Sequence, residues 1–517
     1  MTETGPIFKE NTLSRKTGSW RDHELKQKPR YLRESDTIST CMVACPIHQD
    51  IREWLLALKN NDINEAAKII LRHNPLASSV SLVCPSFCER GCKYLRECFD
   101  EPIAINASEK FLGNWIISGN YSPNLVKISS DRKIAVVGSG PAGLTCAYVL
   151  RNKGYAVTIF EKMPIPGGLL RFGIPEDHLP KEIVAKETDL IQKAGVELKC
   201  GTEINESNFG ELKKGFHAIF LAPGFSEGKK LDIPGAELVG VVTALDFLKK
   251  ANLGEIGNLN GKTIIVIGAG NTAMDSARTA KKLGAARVIV AYRRKKENMK
   301  AFGNEIGETE KAGVQFNFEM TPLRIVRNIP DGLLAEFQNN DLKIIFACDF
   351  VIMAVGQQKS PFFEKLLKEK TIEQLEKEGI FIGGDLLSGP KTVAHAIGTG
   401  NEGAEKIVAY LERREYRRGK IRTIVRRKNI NLSYFEPAPR TAEIQVESRR
   451  CFSCGLCREC ENCLNFCPEP VVKKTGDPEK PYVIDYNYCK GCGICAKECP
   501  RGVIVMEEEK ELKYESK

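Results

Sequence analysis

Ile134-Ala135-Val136-Val137-Gly138-Ser139-Gly140-Pro141-Ala142-Gly143 is the stretch that decides the fold. Four consecutive apolar residues running into glycine read as a strand buried on both faces, as parallel sheets require. Gly138 permits a tight turn, Gly140 lets the backbone approach a pyrophosphate, and Gly143 lets the next helix pack closely on the strand. That helix then points its free amide hydrogens and positive dipole end at the phosphates. The next strand, Ala156 to Phe160, ends at Glu161, 23 residues after Gly138. Its carboxylate can take both hydroxyls of an adenosine ribose. Glycine fingerprint, strand context and acid at this distance together predict a dinucleotide site.

Two further pieces suggest that this dinucleotide is FAD. Gly167-Gly168-Leu169-Leu170-Arg171-Phe172-Gly173-Ile174-Pro175 is small and apolar enough for a flat ring system to lie against backbone. Ile380-Phe381-Ile382-Gly383-Gly384-Asp385 is another strand ending on glycines and an acid, and it precedes a helix-like stretch from Val393 to Tyr410. Asp385 is placed to hold a ribityl hydroxyl, and the helix start to face the pyrimidine end of the flavin.

The pattern repeats at Thr263 to Ile267, followed by Gly268-Ala269-Gly270-Asn271-Thr272-Ala273, with Ala273 in place of the third glycine. Here the residue 23 positions after Gly268 is Ala291, and Tyr292-Arg293-Arg294-Lys295-Lys296 follows. An acid would repel a 2′-phosphate, whereas Arg293 and Arg294 can grip one with forked, charge-assisted hydrogen bonds. NADPH is therefore favoured over NADH. The alternative is that these are solvated surface charges and either nucleotide binds. Cys146, Cys200 and Cys348 are isolated in this region and are expected to be buried as small hydrophobes. No Cys-x2-Cys accompanies them, so disulfide exchange of the thioredoxin-reductase kind is not expected.

Nineteen cysteines occur, ten of them between Cys451 and Cys499 and six between Cys41 and Cys98. Gaps of two and three residues suit metal–sulfur ligation better than a disulfide framework. Cys489-x2-Cys492-x2-Cys495-x3-Cys499-Pro500 has the bacterial ferredoxin spacing, in which the fourth cysteine serves the other cluster. Cys457-x2-Cys460-x2-Cys463-x3-Cys467-Pro468 mirrors it. One 4Fe–4S cluster is thus expected on Cys457, Cys460, Cys463 and Cys499, and another on Cys489, Cys492, Cys495 and Cys467, with structural zinc as the alternative. Cys451-x2-Cys454-Gly455-x-Cys457 also imitates Cys489-x2-Cys492-Gly493-x-Cys495, so an earlier register stays open. The amino-terminal group, Cys41, Cys45, Cys84, Cys88, Cys92 and Cys98, is less regular, and buried or zinc-binding thiols are its alternative reading.

At 517 residues the chain has room for about three domains. A net charge of +10 is a mild excess at this length, fits an acidic protein partner as well as nucleic acid, and decides nothing alone. No basic segment with an apolar core opens the sequence and no apolar run could cross a bilayer, so a cytoplasmic protein is expected, with neither membrane span nor nucleic-acid partner. Asp50 to Leu58 and Asp62 to Leu71 carry helical periodicity behind acidic capping candidates. Strands alternate with helices from 131 to about 410, the pattern of parallel α/β folds. Arg413, Arg414, Arg417, Arg418, Lys420, Arg422, Arg426, Arg427 and Lys428 form a basic run, read as a solvated helix end and linker or as a docking surface for an acidic partner. The expected fold class is α/β, with two Rossmann-like domains, the FAD domain interrupted by the NADP domain. A helical iron–sulfur domain precedes them and an α+β two-cluster ferredoxin-like domain follows. The boundaries are a helical iron–sulfur domain at 1–130, FAD-binding parts at 131–235 and 351–425, an NADP(H)-binding domain at 236–350, a linker at 426–446 and the ferredoxin-like domain at 447–517.

From about residue 40 to 425 these motifs, in this order, resemble the small subunit of NADPH-dependent glutamate synthase and its relatives. Those relatives include the NADPH-binding subunits of bifurcating transhydrogenases and dihydropyrimidine dehydrogenase. The resemblance implies a cluster held by three cysteines and a Glu or Gln, which here are Cys45, Cys84, Cys88 and Glu109. It also implies a second amino-terminal cluster needing a Cys-x2-Cys pair where this chain has Arg33 and Asp36. Only Cys41 and Cys92 of that set remain, so a fourth cluster is either lost or rebuilt with Cys98 and an oxygen ligand such as Asp36. The expectation is an enzyme with FAD, NADP(H) and three 4Fe–4S clusters, converting two-electron into one-electron transfer with no side-chain acid or base. Its partner is ferredoxin or another oxidoreductase subunit, within a hetero-oligomeric complex. Alternatives are an electron-input subunit of a glutamate-synthase-like, 2-oxoacid or acyl-CoA oxidoreductase complex, and a redox-sensing scaffold without turnover.

Overall fold

The computed structural model describes residues 27–32, 36–92, 101–123, 125–225, 227–328, 332–416, 422–436, 438–478 and 480–508. Arg33, Cys98, Arg417, Arg418 and Lys420, named above, lie outside them. The chain forms two compact units, one from 72–84 and 113–416 and the other from the described parts of 1–71, 85–112 and 417–517.

The first unit is built on two five-stranded parallel sheets. One runs Ile380–Ile382, Ala218–Leu221, Lys133–Val137, Ala156–Phe160, Glu197–Lys199; the other runs Gln315–Phe318, Arg287–Tyr292, Thr263–Ile267, Phe350–Met353, Val241–Thr243. The central strands are apolar throughout because helices cover both faces, and Ile134 to Val136 and Ile264 to Val266 are fully buried. The first sheet takes its last strand from residue 380 onward, after the second sheet is complete, so one nucleotide-binding fold is inserted into the other, as expected. In each sheet the glycine turn leaves the carboxyl end of the central strand, where the strand order switches direction. Helix Val393–Leu411 lies so close to helix Pro141–Asn152 that a Cβ on Gly400 would stand 2.5 Å from the Ala142 carbonyl oxygen.

The expected unbroken alternation of strands and helices fails between 321 and 348. Thr321–Arg327, Leu333–Asn339 and Leu342–Cys348 form an antiparallel three-stranded sheet instead. Asn339 pairs with Leu342, leaving Asn340-Asp341 as a two-residue turn with Asn340 at φ +49°, a left-handed conformation asparagine tolerates.

In the second unit, helices Ile51–Lys59 and Ile63–Leu71 bury Trp54, Leu55, Leu58 and Ile70. Asp62 caps its helix by accepting the Glu65 N–H at 2.9 Å, but Asp50 makes no such bond. Helix Ile444–Arg449 packs on Ile51–Lys59. Its Glu447, fully buried, accepts from the Ala104 N–H at 2.8 Å, the Thr441 N–H at 2.9 Å and Arg450 at 2.7 Å. The cysteine-rich end folds around the hairpin Val472–Lys474 and Tyr482–Ile484 with short helices Asn462–Asn465 and Ile494–Lys497. Its last strand, Ile504–Glu508, pairs antiparallel with the first described strand, Gln27–Tyr31. Within the basic run, Arg413, Arg422, Arg426, Arg427 and Lys428 are exposed, and Arg414 is paired with Glu412 at 2.6 Å.

Candidate functional site

The turn after Lys133–Val137 opens into a cleft of about 1130 Å³, bordered by Gly138, Gly140, Glu161, Gly168 and Asp385. Gly138 sits at φ +98° with the Ala222 carbonyl 2.3 Å from where a Cβ would be, so only glycine fits. Gly140 is the opposite case. Nothing lies within 4 Å of its missing Cβ, which leaves bare backbone facing open space where a pyrophosphate would approach. Glu161 is buried at the strand end, its carboxylate accepting from the Ser139 N–H at 2.8 Å, the Ser139 hydroxyl at 2.6 Å and the Met163 N–H at 2.8 Å.

The segment from Gly167 folds back over the glycine turn, with the Gly167 N–H donating to the Ser139 hydroxyl at 3.1 Å. Lys181 fixes the segment's far end by donating to the carbonyls of Leu170, Ile174 and Leu179, while burial brings its pKa down to about 8. Asp385 borders the same cleft beside Thr392 and Val393 at the start of helix Val393–Leu411. Burial pushes its carboxyl up to about 6, against one weak backbone bond from the Lys391 N–H at 3.4 Å.

The second glycine turn repeats this geometry. Gly268 sits at φ +130° with the Ala354 carbonyl 2.3 Å from a hypothetical Cβ, and Gly270 again faces open space. Ala273 is fully buried in the core below the turn. Arg293 and Arg294 follow strand Arg287–Tyr292, both exposed, their guanidinium groups without a hydrogen-bond or ion-pair partner among the described residues. Lys296 is engaged with Glu310 at 2.7 Å. Cys146 and Cys348 are buried as expected, but Cys200 is only half-buried, in the turn after the edge strand Glu197–Lys199.

In the other unit the cysteines gather in fours. Cys457, Cys460, Cys463 and Cys499 border one cavity of about 340 Å³; Cys467, Cys489, Cys492 and Cys495 border another of about 420 Å³. Burial and the facing sulfurs push Cys463 and Cys495 up to about 12. Among the described residues no three cysteine sulfurs come within 4.8 Å of one another. Cys451 and Cys454 border neither cavity. Cys45 ends helix Thr40–Ala44 and Cys88 lies within helix Phe87–Gly91, whereas Cys84 ends helix Ala77–Val83, which belongs to the nucleotide-binding unit. Glu109 is buried and accepts from Gln49 at 2.7 Å.

A family model described as pyridine nucleotide-disulphide oxidoreductase matches residues 132–400. The chain belongs to that family. A dihydropyrimidine dehydrogenase domain II 4Fe–4S model matches residues 26–121 of this oxidoreductase, and a 4Fe–4S binding domain matches 482–505. The NADP(+)-dependent formate dehydrogenase subunit beta of Moorella thermoacetica is 31% identical over 72% of this chain and 60% of its own length, so the match leaves a large part of that relative uncovered. The glutamate synthase [NADPH] small chain of Halomonas elongata is 32% identical, over 72% of this chain and 88% of its own. The NAD-dependent dihydropyrimidine dehydrogenase subunit PreT of Escherichia coli is 33% identical, over 72% and 91%. The resemblance read from the motifs is thereby borne out.

Three residues of the oxidoreductase escaped the sequence reading. Ser139 is an arbitrary position in the fingerprint, yet it ties Glu161 to Gly167. Thr399 accepts the Gly384 N–H at 2.7 Å and so fixes the turn that carries Asp385. Gln49 reaches both Glu109 and, at 3.9 Å, the Cys45 sulfur. Only Gln49 had a usable signal, its place four residues after Cys45. No helix among the described residues is long and apolar enough to cross a membrane.

Proposed function

We propose that this oxidoreductase carries electrons between NADPH and 4Fe–4S clusters by way of FAD, and exchanges them with ferredoxin or a partner oxidoreductase subunit. The observation that carries the reading is one chain bearing two nucleotide turns with open backbone at Gly140 and Gly270, and two cavities each bordered by four cysteines. When bound, the flavin supplies the conversion between hydride transfer and single-electron transfer.

The residues divide the remaining work. Gly138 and Gly140 admit the FAD pyrophosphate, Glu161 holds the adenosine ribose, Gly168 lies under the ring system and Asp385 takes a ribityl hydroxyl. Gly268, Gly270 and Ala273 seat the second dinucleotide. Arg293 and Arg294 grip its 2′-phosphate. The relatives' names include both NADP- and NAD-dependent proteins, and the two unpartnered guanidinium groups favour NADP(H). Cys457, Cys460, Cys463 and Cys499 hold one cluster, and Cys467, Cys489, Cys492 and Cys495 another. Cys45, Cys88 and Glu109 serve a third. Three relatives named as subunits or chains of larger enzymes support a hetero-oligomeric setting.

Anaerobic titration of the purified protein with NADPH and, separately, NADH tests this reading, with flavin and cluster absorbance followed together. Rapid bleaching of both chromophores by NADPH but not NADH is expected. Bleaching by NADH alone would overturn the Arg293–Arg294 assignment, and no bleaching with either would overturn the reductase reading.

A further inference from the structure

Cys451 and Cys454 are the two cysteines that the ferredoxin-like cavities leave over, and they are not scattered. Cys41 follows strand Thr37–Ile38 and opens helix Thr40–Ala44. Helix Phe87–Gly91 lies so close beside it that a Cβ on Gly91 would stand 3.3 Å from the Cys41 Cα, which brings Cys92, the next residue, to the same place. From the other end of the chain, the Thr37 hydroxyl donates to the Gly455 carbonyl at 2.8 Å, and Arg52 donates to the Cys454 carbonyl at 2.9 Å. The stretches that carry Cys41, Cys92, Cys451 and Cys454 therefore meet in one neighbourhood.

The backbone of the Cys451 loop is a second, independent observation. In Cys489-x2-Cys492 the third and fifth residues, Gly491 and Gly493, sit at φ +74° and +78°. In Cys457-x2-Cys460 the same positions, Glu459 and Glu461, sit at +49° and +63° although neither is glycine. In Cys451-x2-Cys454 they are Ser453 and Gly455, at +49° and +77°. Left-handed residues alternating in this way turn backbone amides inward as an anion-binding concavity of the kind iron–sulfur sites use. The Ser453 N–H donates to the Cys451 sulfur at 3.4 Å, as the Val503 N–H donates to Cys499 at 3.3 Å in the ferredoxin-like part. Left-handed positions recur in all three equivalent loops, in two of them on strained non-glycine residues, and point to a shared task.

Charge supplies the third. Arg52 is buried, and its guanidinium reaches only Thr37 and the Cys454 carbonyl, with Nε unpartnered; Arg501 reaches the Phe452 carbonyl, and its Nε is buried and unpartnered too. Neither has a carboxylate partner among the described residues. A buried cation without an anion, as Arg52 is, is costly, and a cubane carried by four thiolates is an anion.

We propose that Cys41, Cys92, Cys451 and Cys454 hold a fourth 4Fe–4S cluster, its ligands drawn equally from the two ends of the chain. Each thiol gives up its proton on binding iron. Arg52 and Arg501 offset the resulting charge.

Iron and acid-labile sulfide counted per chain in the full-length protein, reconstituted without oxygen, test the proposal. The wild type is expected to hold about sixteen irons, four per cubane. Cys454→Ala and Cys451→Ala should each fall to about twelve, with flavin content unchanged and one cluster signal missing from the reduced electron paramagnetic resonance spectrum. Unchanged iron in both variants would overturn the assignment. So would the same loss from Cys98→Ala with Cys454→Ala intact, or zinc in place of the missing iron. Should the variants not fold, alkylation of the wild-type holoprotein decides. Cys41, Cys92, Cys451 and Cys454 should be protected together and become reactive together when a chelator strips iron, whereas labelling of Cys451 and Cys454 at the rate of half-buried Cys200 would overturn the proposal. These readouts use no nucleotide, so they stand apart from the NADPH titration.

Discussion

The nucleotide-binding unit and the iron–sulfur unit are assembled on opposite plans. In the first, Gly138, Ser139 and Glu161 belong to one strand–turn–helix–strand stretch, and Gly268 with Arg293 and Arg294 belongs to the next. In the second, the strand Gln27–Tyr31 pairs with Ile504–Glu508, and Ala104 donates to Glu447. A site built from neighbours in sequence can lose one residue and keep its fold. A site built across several hundred residues shares its fate with the contacts that join the chain ends.

The largest effect is expected where those ends are pinned. Glu447→Ala removes an acceptor from two backbone amides and leaves Arg450 buried without its carboxylate, a change worth about 3–5 kcal/mol. Iron content should fall and the iron–sulfur unit should unfold earlier in a calorimetric scan, while bound flavin is retained. Loss of flavin in equal measure would erase the contrast between the units.

Next comes the local nucleotide site. Arg293→Ala with Arg294→Ala should raise the KM for NADPH by roughly 10- to 150-fold, the equivalent of about 1.5–3 kcal/mol for a charge-assisted hydrogen bond. The KM for NADH and the iron count should stay as they are. An equal rise for both nucleotides would show that the arginines act on the fold and not on the 2′-phosphate.

The smallest effect sharpens the comparison by pH. Burial raises the Asp385 carboxyl to about 6 from an ordinary value near 3.9. The folded protein therefore keeps a proton that the unfolded chain has lost, so the carboxylate's penalty is absent below about pH 4, grows as pH rises and is complete above pH 6. Asp385→Asn should stabilise the flavin-free protein at pH 8 and not at all near pH 4, while weakening flavin binding. Thermal unfolding at the two pH values checks the sign; a gain at pH 4 would contradict it.

How legible each unit is follows from the same contrast. Both sheets, the insertion of one in the other and the two glycine turns were readable because the chemistry of a dinucleotide site lies within about 30 residues of sequence. Ser139 was not, because a fingerprint fixes its glycines and leaves the intervening position open. The antiparallel strands after residue 321 were readable in principle from Asn339-Asn340-Asp341, but a run of preceding α/β units outweighed that short signal. The cysteine spacing likewise matched the two cavities in which Cys457 to Cys499 are found. Nothing in the spacing joins Cys41 to Cys454, since only folding brings them together.

The pairing of Gln27–Tyr31 with Ile504–Glu508 also has a consequence in time. A ribosome adding about 5–20 residues per second needs roughly half a minute or more between making the two strands. Throughout that interval Tyr31 has no sheet to join, while both nucleotide sheets have every strand they need before residue 400. Flavin can thus be captured on the nascent chain, whereas the cysteine cages close only once translation has passed their last strand. Maturation has an order written into the topology: nucleotide first, metal last.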